Sequence, residues 1–252
     1  MQHSACREIG HGSSRLEAWT VISRGKALRD QVYENLRDRI VSGDLKPGDG
    51  LVEVELASQL NVSRTPVSNA LVMLRERGLV HDIGGRMEVS VLKLEDVVDL
   101  YWCRMGLDGV AARLAATRIT DAELATLEAY LKAWEMPPED SDLSALWVSD
   151  LNFHRHIYEV AGNRHLVRFS EIAAELAAVY RRNTIRRMND PQSGTSRSRD
   201  DMRREHNAIF EAIAARDPEA AELAARTHIQ MVIQHLEQAD MVLEVGPALE
   251  AV

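Results

Sequence analysis

Four residues in the C-terminal half could together do chemistry that none does alone: Asp150, His154, His206 and His228. Asp150 and His154 stand four apart, which puts a carboxylate and an imidazole on one face of a helix. His206 and His228 fall in two later Ala-rich amphipathic segments, and each can point inward from a different wall of a helical core. One carboxylate and three imidazoles that converge would suit a divalent transition ion. Helical histidines also cap, pair or face water, so spacing by itself leaves both readings open. An ion with open coordination positions could activate water, which makes a metal-dependent hydrolase one use of the set. No separate general base, oxyanion donor or nucleophile is identifiable beside these residues in sequence, and that disfavours hydrolysis. The remaining helical histidines fall outside the pattern: His156 lies two residues past His154 and points elsewhere, and His165 and His235 are expected to cap or face solvent.

Such a constellation needs helices to position it. From Leu94 onward the apolar period is helical, with breaks at Met136-Pro137-Pro138, Gly162-Asn163, residues 189–198 and Asp217-Pro218. Thr120 and Glu123 form a capping box, and Asp217-Pro218 is a cap followed by proline in the first turn. The pattern predicts an all-α antiparallel bundle of about six helices, with no strand alternation and no internal repeat.

The N-terminal third reads differently. Leu28, Val32, Leu36 and Ile40 make one apolar stripe, ended by Gly43, Pro47 and Gly48. Leu56, Ala57 and Leu60 make a second, and Val67, Ala70, Leu71 and Leu74 a third, at helical spacing. Between the last two lies only Asn61-Val62-Ser63, where Asn tolerates a left-handed backbone, Val62 plugs the gap and Ser63 can cap the next helix. Pro66 sits in that helix's first turn, where its missing N–H costs nothing. After Arg77-Gly78, the run Leu79-Val80, Gly84-Gly85-Arg86 and Val89-Ser90-Val91 predicts a small hairpin with a glycine tip. Three helices plus a hairpin form a winged helix-turn-helix, so the fold class is mainly α and the expected activity is DNA binding.

At 252 residues the chain is too long for one winged helix and predicts roughly two domains. The expected division is a disordered extension over 1–25, the winged helix-turn-helix over 26–92, a second, helical domain over 93–240 and a tail over 241–252. A hydrophobic content of 45% with only 5% aromatic suits a helical core rich in Ala and Leu. No apolar run approaches the roughly 20 residues that span a bilayer, and the start has no charged-then-apolar signal pattern. Cys6 and Cys103 give neither a disulfide framework nor a zinc pairing, so a reducing cytoplasm is the expected compartment. The net charge of −9 argues against DNA binding until it is divided. Residues 1–92 hold 12 Lys+Arg against 12 Asp+Glu, whereas residues 93–252 hold 18 against 27. The acidity belongs to the second domain, and the neutral first domain predicts modest non-specific affinity with specificity gained through dimerisation.

The run QVYENLRDRIVSGDLKPGDGLVEVELASQLNVSRTPVSNAL resembles the N-terminal domain of GntR-family transcriptional regulators, over Ala27 to about Leu92. A helix-turn-helix docks its second helix in the major groove by its N-terminal residues while flanking groups grip phosphates. The resemblance therefore places base and backbone contacts at Ser63, Arg64, Thr65 and Ser68, a phosphate grip at Arg37, and a minor-groove approach at Gly85 and Arg86. Ser68-Asn69 replaces the family's usual Arg-Glu, and Met87-Glu88 replaces small and aromatic residues in a wing about one residue short. The operator sequence does not carry over.

SDLNFHRHIYEVAGN, EHNAIFEAI and ARDPEAAELAARTHI are similar to segments of the FCD ligand-binding domain, the effector domain of the FadR branch of that family. Carried over residue by residue, Asp150, His154, His206 and His228 match its metal ligands, with zinc the expected ion and nickel or manganese the alternatives. A FadR-like regulator without metal is the reading that remains if the histidines are structural. LYWCRMGLDGVAARLAA resembles the helix whose arginine faces the effector, here Arg104, although Trp102 and Cys103 replace the usual Glu-Leu. A guanidinium grips a carboxylate through two parallel hydrogen bonds, which implies a small organic acid as effector. The plainer reading pairs Arg104 with Asp108 one turn on. Arg181-Arg182 and Arg186-Arg187 are expected at a solvated helix end. By resemblance the protein is a homodimeric regulator, a repressor, on a pseudo-palindromic double-stranded operator, with Leu92 to Asp96 as the covalent link between domains.

Overall fold

A computed structural model describes residues 27–132, 143–188 and 199–245. The expected extension over 1–25, the breaks at Met136-Pro137-Pro138 and 189–198, and the side chains of Arg181, Arg182, Arg186 and Arg187 lie outside the described residues. In chain order the elements are α1 (Leu28–Ser42), α2 (Glu53–Gln59), α3 (Arg64–Glu76), β1 (Val80–Ile83), β2 (Arg86–Val89), α4 (Leu94–Arg118), α5 (Asp121–Lys132), α6 (Leu143–Val160), α7 (Arg164–Met188), α8 (Arg199–Ala214) and α9 (Pro218–Val245).

The first three helices and the hairpin close over one apolar cluster: Val32, Leu36 and Ile40 from α1, Leu56 and Ala57 from α2, Val67, Ala70, Leu71 and Leu74 from α3, and Leu79, Val80 and Val89 from the wing. Asn61 takes a positive φ of 51° between α2 and α3, as the turn requires, and Gly78 takes 74° where α3 stops. β1 and β2 pair antiparallel from Val80 opposite Val89 to Ile83 opposite Arg86. The segment before α2 joins them: Leu51 N–H donates to the Met87 carbonyl at 2.7 Å, and Val89 N–H to the Asp49 carbonyl at 3.0 Å. That pairing ties the wing back to the chain ahead of the helix-turn-helix.

The passage to the second unit is shorter than Leu92 to Asp96. Lys93 already caps α4, with its N–H bonded to Asp96 Oδ2 at 2.9 Å, so Asp96 belongs to the helix. Six helices then follow among the described residues, and α9 continues to Val245 into the range expected as tail. α4 packs against α6, α7, α8 and α9 and is the central helix. Its alanines Ala111, Ala112, Ala115 and Ala116 let the others approach closely around Phe153, Ile209 and Ile213. The capping box holds: Thr120 N–H reaches Glu123 Oε2 at 2.8 Å and Glu123 N–H reaches Thr120 Oγ1 at 3.3 Å. Asp217 Oδ1 accepts from Ala220 N–H at 3.0 Å, and α9 begins on Pro218. None of the described helices is long and apolar enough to cross a membrane.

The two units also meet through α7. Val179 is buried in the winged-helix core with Leu176 packed against it. Beside them Arg77 Nη1 donates to Glu175 Oε2 at 3.1 Å, and Arg37 Nη1 lies 3.8 Å from Glu175 Oε1.

Candidate metal centre and nucleic-acid face

α6 carries Asp150 and His154 inward one turn apart, α8 brings His206 and α9 brings His228, and all four side chains are buried. Phe153, fully buried between them, meets the His154 and His206 rings edge-on. The ring centroids are 5.3 Å apart for His154 and His206, 5.2 Å for His154 and His228, and 4.5 Å for His206 and His228. One ring nitrogen from each histidine lies within 4.8 Å of the other two. Asp150 Oδ1 is 3.0 Å from His206 Nε2 and 3.8 Å from His154 Nε2.

Tetrahedral bonds of about 2.1 Å to one ion put its nitrogen ligands about 3.4 Å apart, so nitrogens within 4.8 Å of one another need close by at most about 1.4 Å. The donor set suits a borderline ion: three imidazoles and one carboxylate, with no thiolate. Protonation is also compatible. Burial pushes His154 down to about 4, against the opposing pull of Asp150 and Asp108, so its ring is neutral at pH 7 as ligation requires. The residues therefore fit a divalent metal.

Around them lies a shell that spacing did not reveal. His206 Nδ1 faces the Met202 carbonyl at 2.7 Å and His228 Nδ1 faces Glu205 Oε2 at 2.8 Å. His154 Nδ1 is 3.9 Å from Asp108 Oδ2. Asp108 also accepts from the Tyr158 hydroxyl and, at 3.1 Å, from Arg104 Nη2. Arg104 is thus buried against Asp108, with its guanidinium over the Tyr101 ring, the plainer of its two expected arrangements. Burial disfavours its charge, but Asp108, Tyr101, Tyr158 and Asp150 together outweigh burial and hold the guanidinium above its ordinary value. Burial, reinforced by Asp108, raises the Tyr158 hydroxyl. Only Asp108 among these partners had a signal in sequence, as the residue one turn from Arg104.

Between α8 and α9 a cavity of about 420 Å³ is lined by Arg204, Glu205, Thr227, His228 and His235 among others, so His228 separates it from the histidine cluster. His235 faces this cavity. His156 instead bonds the Glu123 carbonyl through Nε2 at 2.9 Å, and His165 is exposed beside the cap of α7.

At the other end of the chain, α3 turns Pro66 and Val67 into the core and leaves Ser63, Arg64, Thr65 and Asn69 exposed, with Ser68 half-buried. Ser63 occupies the N-cap with extended backbone, but its hydroxyl makes no capping bond, contrary to expectation. The Asn61 turn and the buried Pro66 already fix the helix start, so the exposed hydroxyl is left over. Gly85 and Arg86 are exposed at the wing tip, where Gly85 N–H donates to Asp82 Oδ1 at 2.7 Å. Arg37 bonds Asp38 at 2.6 Å on its own helix, in addition to its approach to Glu175.

Comparison with known proteins matches residues 28–86 to bacterial regulatory proteins of the gntR family and residues 99–231 to the FCD domain. The HTH-type transcriptional regulator YdhC of Bacillus subtilis is 30% identical over 221 residues, 86% of this chain and 92% of its own length. The HTH-type transcriptional repressor RspR of Escherichia coli is 27% identical over 220 residues, 87% of this chain and 93% of its own. Among solved structures, E. coli McbR/YncC superposes with a TM-score of 0.66 at 23% identity, over 85% of this chain and 99% of its own. A GntR family member from Pseudomonas syringae gives 0.51 at 25% identity, over 87% and 88%.

Proposed function

The chain belongs to the GntR family of bacterial transcriptional regulators and carries an FCD domain, and from that premise we propose that it is a homodimeric repressor whose operator affinity answers to a small carboxylic acid held at a divalent metal. Its relatives are HTH-type transcriptional regulators, so the chain is a regulator and not a hydrolase. Two winged helices related by a two-fold axis would read a pseudo-palindrome, with Arg64 and Thr65 at base edges, Ser63, Ser68 and Arg37 on the backbone and Gly85-Arg86 at the minor groove. The resemblance to a named repressor supports the sign of regulation.

One observation carries the metal half of this reading: three buried imidazoles from three different helices come within 4.8 Å of one another beside the Asp150 carboxylate. Asp150, His154, His206 and His228 would hold the ion, which when bound supplies a Lewis-acidic position for a ligand oxygen. Zinc suits the donors best, and nickel or manganese remain compatible with three nitrogens and one oxygen. Arg104 would take the acid's second charged group by leaving Asp108 in part. An effector changes DNA binding only by binding two conformations of the dimer unequally.

The test is thermal unfolding of chelator-stripped protein against a panel of divalent metals, then of each metal form against mono-, di- and tricarboxylates. A midpoint rise with one metal that His206→Ala abolishes, and a second rise with one acid that also changes operator affinity, is the expected result. A flat response to every metal leaves a metal-free, FadR-like regulator.

A further inference from the structure

His206 is held at both ends of the imidazole, and His228 at its Nδ1 end. A backbone carbonyl can only accept, so the 2.7 Å contact with Met202 O makes His206 Nδ1 a protonated nitrogen and turns Nε2 to Asp150 Oδ1, 3.0 Å away. For His228 the acceptor is a carboxylate: its Nδ1 meets Glu205 Oε2 at 2.8 Å, from the neighbouring helix α8. The His228 side chain is 6% exposed and that of Glu205 15%, so this contact is largely withdrawn from water. Glu205 precedes His206 directly, and one turn of backbone therefore serves both rings, His206 as a member of the cluster and Glu205 as the acceptor behind His228. Glu205 also stands on the cavity between α8 and α9, on the outer side of His228.

We propose that Glu205 is a positioning residue: its carboxylate holds His228 as the Nδ1–H tautomer and turns the Nε2 lone pair into the histidine cluster. This rests on the metal reading above for its consequence, but the orientation itself concerns the chain alone. Outer carboxylates that orient ligating histidines alter metal affinity by roughly 10- to 100-fold when removed. Without Glu205 the ring regains rotation about χ2 and both tautomers, and the cluster loses a pre-set donor.

Wild type, Glu205→Ala and Glu205→Gln decide it by two measurements. Long-range 1H–15N spectra of metal-free protein, with His228 assigned by its loss in His228→Gln, report the tautomer. Competition with a chromophoric chelator reports zinc and nickel affinity. The expected outcome is an Nδ1–H His228 in wild type, a mixed tautomer and 10- to 100-fold weaker metal binding in Glu205→Ala, and a preserved tautomer with at most a roughly tenfold loss in Glu205→Gln, whose carbonyl still accepts. An Nε2–H tautomer in wild type overturns the proposal. So does a wild-type tautomer and affinity in Glu205→Ala, or an equal loss in both variants with the tautomer unchanged, which would make Glu205 a ligand. If wild type binds neither zinc, nickel nor, in the same assay, manganese, the metal reading fails, and the tautomer alone still decides the orientation.

Discussion

The two units of this molecule place polar chemistry on opposite sides of their cores. Among the described residues the winged helix buries Leu36, Val67, Leu71, Leu74 and Leu79 with scarcely a polar side chain beside them, and turns Arg64, Thr65 and Arg86 outward. The FCD unit buries Arg104, Asp108, Asp150, His154, His206 and His228 within one apolar shell. A surface meant for a polyanion keeps its charges in water, where they cost nothing in the free protein. A site for a small ion or acid must remove its charges from water, and each then depends on a specific neighbour. The same substitution should therefore have opposite readouts in the two units.

The largest difference is expected from the arginines. Arg104→Ala leaves Asp108 buried without its cation and should destabilise the FCD unit by about 3–5 kcal/mol in denaturant unfolding. Arg64→Ala should change stability by less than about 0.5 kcal/mol, because its side chain is solvated. A stability loss of similar size in both would break the contrast.

Acidification should separate the units next. His154 titrates near 4 when folded and near 6.5 when unfolded, so the unfolded chain takes up the proton first as pH falls. Its contribution is whole above about pH 6.5, declines through the interval and is gone below about 4, a loss on the order of 3 kcal/mol in the metal-free protein. Urea unfolding followed between pH 7 and 4 should show this decline, and His154→Phe should flatten it. An unaltered slope in that variant would assign the acid sensitivity to other groups.

On the DNA side the effect is smaller and of another kind. Arg64→Ala should weaken operator binding by about 1–3 kcal/mol and relax base preference, whereas Arg86→Ala should weaken all sequences alike and lower the salt slope by about one. Fluorescence anisotropy with operator and scrambled duplexes at several salt concentrations distinguishes the two.

What was legible in the sequence follows the range of the interactions. The winged helix is written in local terms: stripes at three and four residues, Asn61 in a turn, Gly78 at a helix end. The histidine set was legible only in part, since Asp150 and His154 share a helix face but His206 and His228 arrive from elsewhere. Asp108 could be read as the partner of Arg104 because both lie on α4. Glu205 and Glu175 could not, because each meets a partner on another element, and no periodicity records which of many surface carboxylates folds back. Ser63 shows the converse, a residue of the right type at the right position whose expected bond does not form.

Glu175 supplies the smallest and most discriminating prediction, because it sits where the two units touch. It stands 16% exposed between Arg77 and Arg37, beside Leu176 and Val179, which enter the winged-helix core from α7. Glu175→Gln keeps the shape and removes the charge. A half-buried pair of this kind is worth about 1 kcal/mol after solvent screening, so global stability should fall by about that amount and less at high salt. The seam should loosen more than either core. Amide hydrogen exchange should therefore rise in α1 and the end of α3 while the buried amides of α6 and α8 keep their protection. Unchanged exchange in α1 would mean that Leu176 and Val179 hold the units together without the ion pair. Faster exchange spreading into α6 would mean that the apolar and the polar unit unfold as one, and the contrast between them would be one of composition alone.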